Sequence, residues 1–221
     1  MKHTEKELLA LRESLNEMWN LVMSQLEKSR TALLTSDSEL AREVTFREKR
    51  VDAYELKLDS DCENFIALYA PVAIDLRMVL SIMKIGQTLE RIGDFADGIA
   101  RFVVDDLGKG LPPSLYEDLK LETMFDVLLS MLSDAFATLE SENTKLSGKI
   151  FARDEEVDII YRNSVEVMSR FMESNHALIP NALRLFLIVR KLERIGDHCN
   201  NIVEEIVFYV DAKVLKHSPK G

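Results

Sequence analysis

Glycine and proline are scarce, 8 and 5 among 221 residues. So few breakers leave little room for tight turns, and long uninterrupted elements are expected. Cysteine is scarcer still. Cys62 and Cys199 both fall in helical patterns among apolar neighbours, which reads as two buried reduced thiols rather than a disulfide framework or redox pair. Basic residues are outnumbered, 28 Lys and Arg against 38 Asp and Glu, for a net charge of −10. An acidic chain repels phosphate backbones, so nucleic acid is excluded as a general partner, and cations or basic protein surfaces are favoured. Long apolar runs are missing too. The richest, Leu183 to Val189, is broken by Arg184 and closed by Arg190, so no membrane-spanning segment is expected. The opening Met1-Lys2-His3-Thr4-Glu5-Lys6-Glu7 is too polar for a secretory signal, and the expected location is the cytoplasm.

What remains is helical. Leu8, Leu11, Leu15, Met18 and Val22 step by three and four, predicting a helix over about residues 4–34. Val44, Val51, Tyr54, Leu58, Cys62 and Phe65 predict a second, set off by Ser36-Asp37-Ser38 as turn and cap. Pro71 divides it from a third that ends near Asp105 or Asp106. Gly108, Gly110, Pro112 and Pro113 form the one clear linker. Beyond it, Phe125, Leu128, Leu132, Ala135 and Leu139 predict a fourth helix, and Val157, Ile160, Ser164, Met168 and Phe171 a fifth. A sixth follows Pro180 and runs to about Val214. Strand alternation is absent, so the fold class is all-α.

The two halves repeat. Leu89-Glu90-Arg91-Ile92-Gly93-Asp94 recurs unchanged as Leu192-Glu193-Arg194-Ile195-Gly196-Asp197, each copy in the third helix of its half. Short connections favour antiparallel neighbours, so each half is expected to be an up-down-up three-helix bundle, over residues 1–107 and 114–216.

The duplicate carries acids four apart, Glu90 with Asp94 and Glu193 with Asp197. The preceding helices repeat the spacing with Glu48 and Asp52, then Asp154 and Asp158. Residues at i and i+4 share a helix face. Pairs 48/94 and 52/90 share their midpoint at Pro71, and pairs 154/197 and 158/193 share theirs at Asn175-His176. In a helical hairpin each quartet therefore converges at one height. Like charges at that spacing cost about 0.2–0.5 kcal/mol per pair. Arg91 and Arg194 offer simple ion pairs to Asp94 and Asp197, but Asp154 has no basic residue three or four positions away. Four repulsive pairs, duplicated and in register, point to metal binding. All-carboxylate sites suit magnesium, manganese or calcium, and iron and zinc also accept them, so the donor set leaves the metal open. Gly93 and Gly196, inside each acid pair, indicate either close packing or space beside an ion.

Other candidates are weaker. His3 and His217 lie at the chain ends, and His198 points about a quarter-turn away from Asp197. Glu173-x-x-His176 matches a di-iron spacing once, where that scheme needs two copies. Trp19 and Phe208 sit on helix faces beyond the bundle cores, as docking surface or peripheral core. No phosphate-cradling glycine loop and no nucleophile–His pair is present, which argues against an enzyme. A metal-dependent phosphohydrolase using the clustered carboxylates stays open as the alternative.

The paired hexamers with their acid-x-x-x-Asp partners, the Pro71-Val72-Ala73-Ile74-Asp75-Leu76-Arg77 segment and the closing Asp197-His198-Cys199-Asn200-Asn201-Ile202 resemble the PhoU family, over nearly the whole chain. The resemblance implies two three-helix bundles related by a pseudo-twofold axis, with multinuclear metal centres, often iron or zinc, on the bundle surface. Its ligands would be Glu48, Asp52, Glu90 and Asp94, then Asp154, Asp158, Glu193 and Asp197. The family places an Asn four residues after the hexamer's Asp. Asn201 supplies it in the second half; the first has Gly98, with Asp97 as the substitute. The resemblance also implies a homodimeric regulator of phosphate uptake that contacts the ATPase subunit of the Pst transporter and the PhoR sensor kinase, restraining the phosphate-starvation response.

Overall fold

The computed structural model describes residues 3–106 and 111–215. They form seven α-helices: α1 (His3–Thr35), α2 (Ser38–Tyr69), α3 (Ala73–Asp106), α4 (Pro113–Asp118), α5 (Leu121–Ser141), α6 (Ser147–Ser174) and α7 (Ile179–Asp211), with single 3-10 turns before α6 and α7. No strand occurs among the described residues.

Local chemistry sets the ends. Asp37 caps α2, its Oδ1 accepting from the N–H groups of Glu39 and Leu40 at 3.0 Å each. Ala70 closes α2 in the left-handed region, and its N–H donates to the Ile66 carbonyl. Pro71 and Val72 then carry the chain into α3. Asn175 caps the end of α6, the place the shared midpoints select.

Two boundaries differ from the sequence expectation. Pro113 belongs to a helix rather than to linker: Pro112 flanks α4 as its N-cap, and Pro113 is its first residue, where a missing N–H costs nothing. The short α4 buries Leu115 and Tyr116, giving seven helices where six were expected. The last helix stops at Asp211, not near Val214, because Ala212 turns left-handed and donates its N–H to Phe208 O at 3.1 Å. Gly108, Gly110 and His217 lie outside the described residues.

The first bundle joins α1, α2 and α3, and the second joins α5, α6 and α7. Apolar residues at helical spacing fill both: Leu15, Met18 and Val22 with Val44, Val51 and Leu58, then Phe125, Leu128 and Leu132 with Val157 and Leu192. Each such buried side chain contributes about 1.5–3 kcal/mol. The bundles share one seam, where α3 packs on α7 and α1 on α5. Trp19 is wholly buried in it, 5.4 Å from the Phe136 ring, so it is core and not docking surface. Phe208 is half-buried, with the Lys84 ammonium 5.7 Å from its ring. Arg77 donates to Tyr209 O at 3.2 Å and Ser81 to Glu205 O at 3.0 Å, while Lys191 lies against Gly98. These contacts run α3 and α7 antiparallel.

Candidate metal centre

Glu48 and Asp52 lie one turn apart on α2, and Glu90 and Asp94 one turn apart on α3. Glu48 is the inner member. It is 8% exposed, and neither of its carboxylate oxygens has a hydrogen-bond partner. Burial pushes its pKa up to about 8, reinforced by the charges of Asp97, Asp94, Asp52 and Glu90 in that order. Glu90 is raised by burial and then by Asp94, Glu55 and Asp52. Asp94 is raised by burial, Asp52 and Asp97, against the pull of Lys191. The first-half acids thus feel one another as a group.

Two further acids belong here. Asp97, also buried, accepts from Arg101 Nε at 2.5 Å through Oδ2, while its Oδ1 has no partner. Glu55, one turn beyond Asp52, is raised by burial, Asp59 and Asp52. The sequence signal for Glu55 was its i,i+3 spacing from Asp52 on the same face.

The second half uses the same scaffold differently. Asp154 and Asp158 are both buried on α6, at 2% and 8% exposure, and Glu193 and Asp197 are half-buried on α7. Asn200 Nδ2 donates to Asp154 Oδ2 at 2.7 Å. Asn201 is exposed, and the inward position is taken by Asn200 one residue earlier. Asp97 and Asn200 both stand three residues after the hexamer. The inner acid is therefore faced by a carboxylate in the first half and by an amide in the second. The equal offset from the hexamer would have exposed this pairing in the sequence.

The hexamer glycines make room for the inner acids. A Cβ on Gly196 would lie 2.4 Å from Asp154 Oδ1. One on Gly93 would meet Val51 Cγ1 at 3.0 Å and Glu48 Oε1 at 3.4 Å. At Gly196 the space is filled by the carboxylate itself, and at Gly93 by Val51 with the carboxylate behind it.

His198 and His176 stay outside the acid groups. His198 is buried, stacked on Phe95 with ring centroids 5.6 Å apart, and its pKa is lowered by burial and then by Arg91 and Arg194, against Asp197. Glu173 and His176 are both exposed at the α6–α7 connection. Both cysteines are buried and free, and burial pushes the Cys62 thiol up to about 12, far from a reactive thiolate.

The donor chemistry fits a hard cation. The first half offers only oxygen ligands, and Glu48 presents two buried oxygens with nothing to bond. Its side chains stand open, however: among the described residues no three His, Cys, Asp or Glu side chains are arranged to hold a single ion. Location and chemistry suit a cation, and rotamer changes would have to complete its shell.

Fold and site together define a duplicated three-helix protein in which the inner acid of each repeat, Glu48 or Asp154, lies beside the hexamer glycine. The model of the PhoU domain matches residues 15–103 and again 121–206. The chain is 33% identical over 211 residues to the phosphate-specific transport system accessory protein PhoU of Escherichia coli (strain K12), covering 96% of this chain and 86% of that protein. It is 30% identical over 223 residues to PhoU homolog 1 of Thermotoga maritima, covering 99% and 94%. Its fold superposes on the crystal structure of PhoU from Pseudomonas aeruginosa with a TM-score of 0.89 at 29% identity, over 95% of this chain and 99% of that one. The corresponding protein of Streptococcus pneumoniae, a phosphate transport system regulatory protein, gives 0.88 at 27% identity, over 97% and 100%. The chain belongs to the PhoU family.

Proposed function

We propose that this chain is a metal-binding regulator of phosphate uptake and of the phosphate-starvation response. It acts by contact with the ATPase subunit of the Pst transporter and with a PhoR-type sensor kinase. The observation that carries the regulatory reading is end-to-end likeness to proteins named as accessory to phosphate-specific transport. The cytoplasm is the proposed location. No helix among the described residues is long and apolar enough to cross a membrane, so contact with a transporter would run through protein surface.

The metal part rests on Glu48, a buried carboxylate surrounded by carboxylates. Leaving such a group charged and unpaired is costly, and a cation offsets that cost. Glu48, Asp52, Glu90 and Asp94, with Asp97, would hold it in the first repeat. Asp154, Asp158, Glu193 and Asp197 would do so in the second. A bound metal would supply positive charge and cross-link the paired helices. The ion itself, iron, zinc, manganese or magnesium, is a matter for elemental analysis. We propose a homodimer and no enzymatic role; turnover of a generic phosphate ester by metal-loaded protein would favour the phosphohydrolase reading instead.

Two measurements test this. Deleting the gene should derepress phosphate-starvation genes in phosphate-rich medium, and silence of those genes would end the regulatory reading. Protein purified without chelator should contain metal, and Glu193→Ala with Asp197→Ala should remove about half of it, on the premise of one centre per repeat. Unchanged content in that variant and in Glu90→Ala with Asp94→Ala would end the metal reading.

A further inference from the structure

The repeats diverge most sharply on one ridge. Positions on α2 correspond to positions on α6 through the Glu48–Asp154 equivalence, so Arg42, Phe46, Lys49 and Arg50 become Gly148, Ala152, Glu155 and Glu156. A basic ridge with an aromatic ring in the first repeat is small and acidic in the second. Phe46 is 82% exposed, and beside it a groove of about 450 Å³ opens between α2 and α3. Arg42, Thr45, Lys49, Arg101 and Val104 line it with Phe46, and of its lining residues only Asp105 is acidic. Arg42 is paired with Glu39 and Arg101 with Asp97. Lys49 and Arg50 have no ion-pair partner among the described residues.

A solitary exposed apolar side chain is ordinary. Here the ring stands among cations on a chain of net charge −10. Exposed aromatic and Arg side chains dominate protein-interface energetics. The groove is open along both helices, which suits a peptide segment better than an enclosed small molecule. Opposite charge sets the occupant's chemistry: on a chain of net charge −10, a groove lined by Arg42, Lys49 and Arg101 with one acid favours an acidic segment.

We propose that the α2–α3 face of the first repeat, centred on Phe46 and flanked by Arg42, Lys49 and Arg101, docks an acidic segment of a partner protein that offers an apolar recess to the Phe46 ring. This deepens the regulatory reading and rests on it, since it names the surface by which this chain meets the transporter ATPase or the kinase.

The test is binding of the full-length chain to purified transporter ATPase subunit and to the cytoplasmic part of the PhoR-type kinase from the same organism. Phe46→Ala, and separately Arg42→Gln with Lys49→Gln, should each weaken one of these complexes by roughly tenfold or more. The charge variant should also flatten the salt dependence of that complex. Ala152→Ser with Glu155→Gln, on the matching ridge of the second repeat, should leave affinity unchanged. Melting temperatures near wild type confirm that the variants are folded. Wild-type binding undiminished in both first-repeat variants overturns this surface and leaves the regulatory reading standing. Failure of the wild-type chain to bind either partner overturns both. Sedimentation with anionic phospholipid vesicles that is lost in Phe46→Ala, while partner binding is kept, assigns the ridge to membrane and overturns the protein partner.

Discussion

Phe95 of α3 and His198 of α7 stack across the seam between the repeats, their centroids 5.6 Å apart and their planes 27° from parallel. Each is the residue that follows the duplicated hexamer, so the two rings occupy equivalent positions and meet where the pseudo-twofold axis crosses the seam. Lys191 and Arg194 lie over the same Phe95 ring at 5.4 and 5.7 Å. Gly98 leaves room for Lys191, whose Nζ would lie 2.7 Å from a Cβ there. Phe95→Ala should cost roughly 2–4 kcal/mol of stability in urea unfolding, since it removes both the ring stack and the cation–π contacts. A loss below about 0.5 kcal/mol would mean that the seam is held elsewhere.

His198 adds a pH dependence. Its folded pKa is lowered, so the unfolded chain takes up the proton first as pH falls below about 6.5, and stability declines from there downward. His198→Phe keeps a stacked ring and removes the proton site. The variant should match wild type within about 1 kcal/mol at pH 7.5 and gain on it steadily below pH 6.5, read from melting curves. Parallel curves at all pH values would contradict the burial of a neutral imidazole.

The acid group gives the opposite slope in metal-free protein. Glu48, Glu90, Asp94 and Glu55 all have raised pKa values, so their folded forms hold protons that the unfolded chain releases. That contribution is complete below the ordinary carboxylate range near pH 4 and is lost as pH rises, up to about 8 for Glu48. Glu48→Gln should therefore stabilise the metal-free protein at pH 8 by roughly 1–3 kcal/mol, its amide being free to donate to Asp97 as Asn200 does to Asp154. Chelator should lower the wild-type melting temperature more than that of Glu48→Gln, which keeps only the second-repeat centre, by the ligand linkage that stabilises a folded state. Equal responses of the two proteins would remove Glu48 from the site.

The two hexamer glycines should respond unequally to alanine. Gly196→Ala drives its Cβ to 2.4 Å from Asp154 Oδ1 and should cost roughly 1–3 kcal/mol by overpacking. Gly93→Ala meets Val51 at 3.0 Å and gains about 1 kcal/mol of helix propensity, so its net effect should lie near zero. Equal losses would mean that both glycines serve helix packing and neither the acids.

The turn between α2 and α3 is closed by Ala70 and Ala73, at φ 42° and 49°. Left-handed backbone costs an L-residue about 1–2 kcal/mol, part of which glycine recovers. Ala70→Gly and Ala73→Gly should each raise stability by roughly 0.5 kcal/mol. A loss in either would mean that the methyl group itself packs.

Sequence alone determined the six long helices, the duplication and the elements that carry the acids, but not the short α4. The reason is that helical periodicity, capping and breakers act within a few residues, and a repeated hexamer is visible without coordinates. Asp37 as a cap, Pro71 as a divider and the shared midpoint at Asn175 are all local in this sense. Tertiary structure alone decided what faces what across helices. Trp19 looks equally free or buried on its own helix, and only the meeting of α1 with α5 encloses it against Phe136. The offset from the hexamer pairs Asp97 with Asn200, but only the approach of α6 to α7 shows what Asn200 meets, the buried Asp154 carboxylate. The raised pKa of Glu48 likewise depends on burial and on charges from a second helix, neither of which a one-dimensional pattern measures.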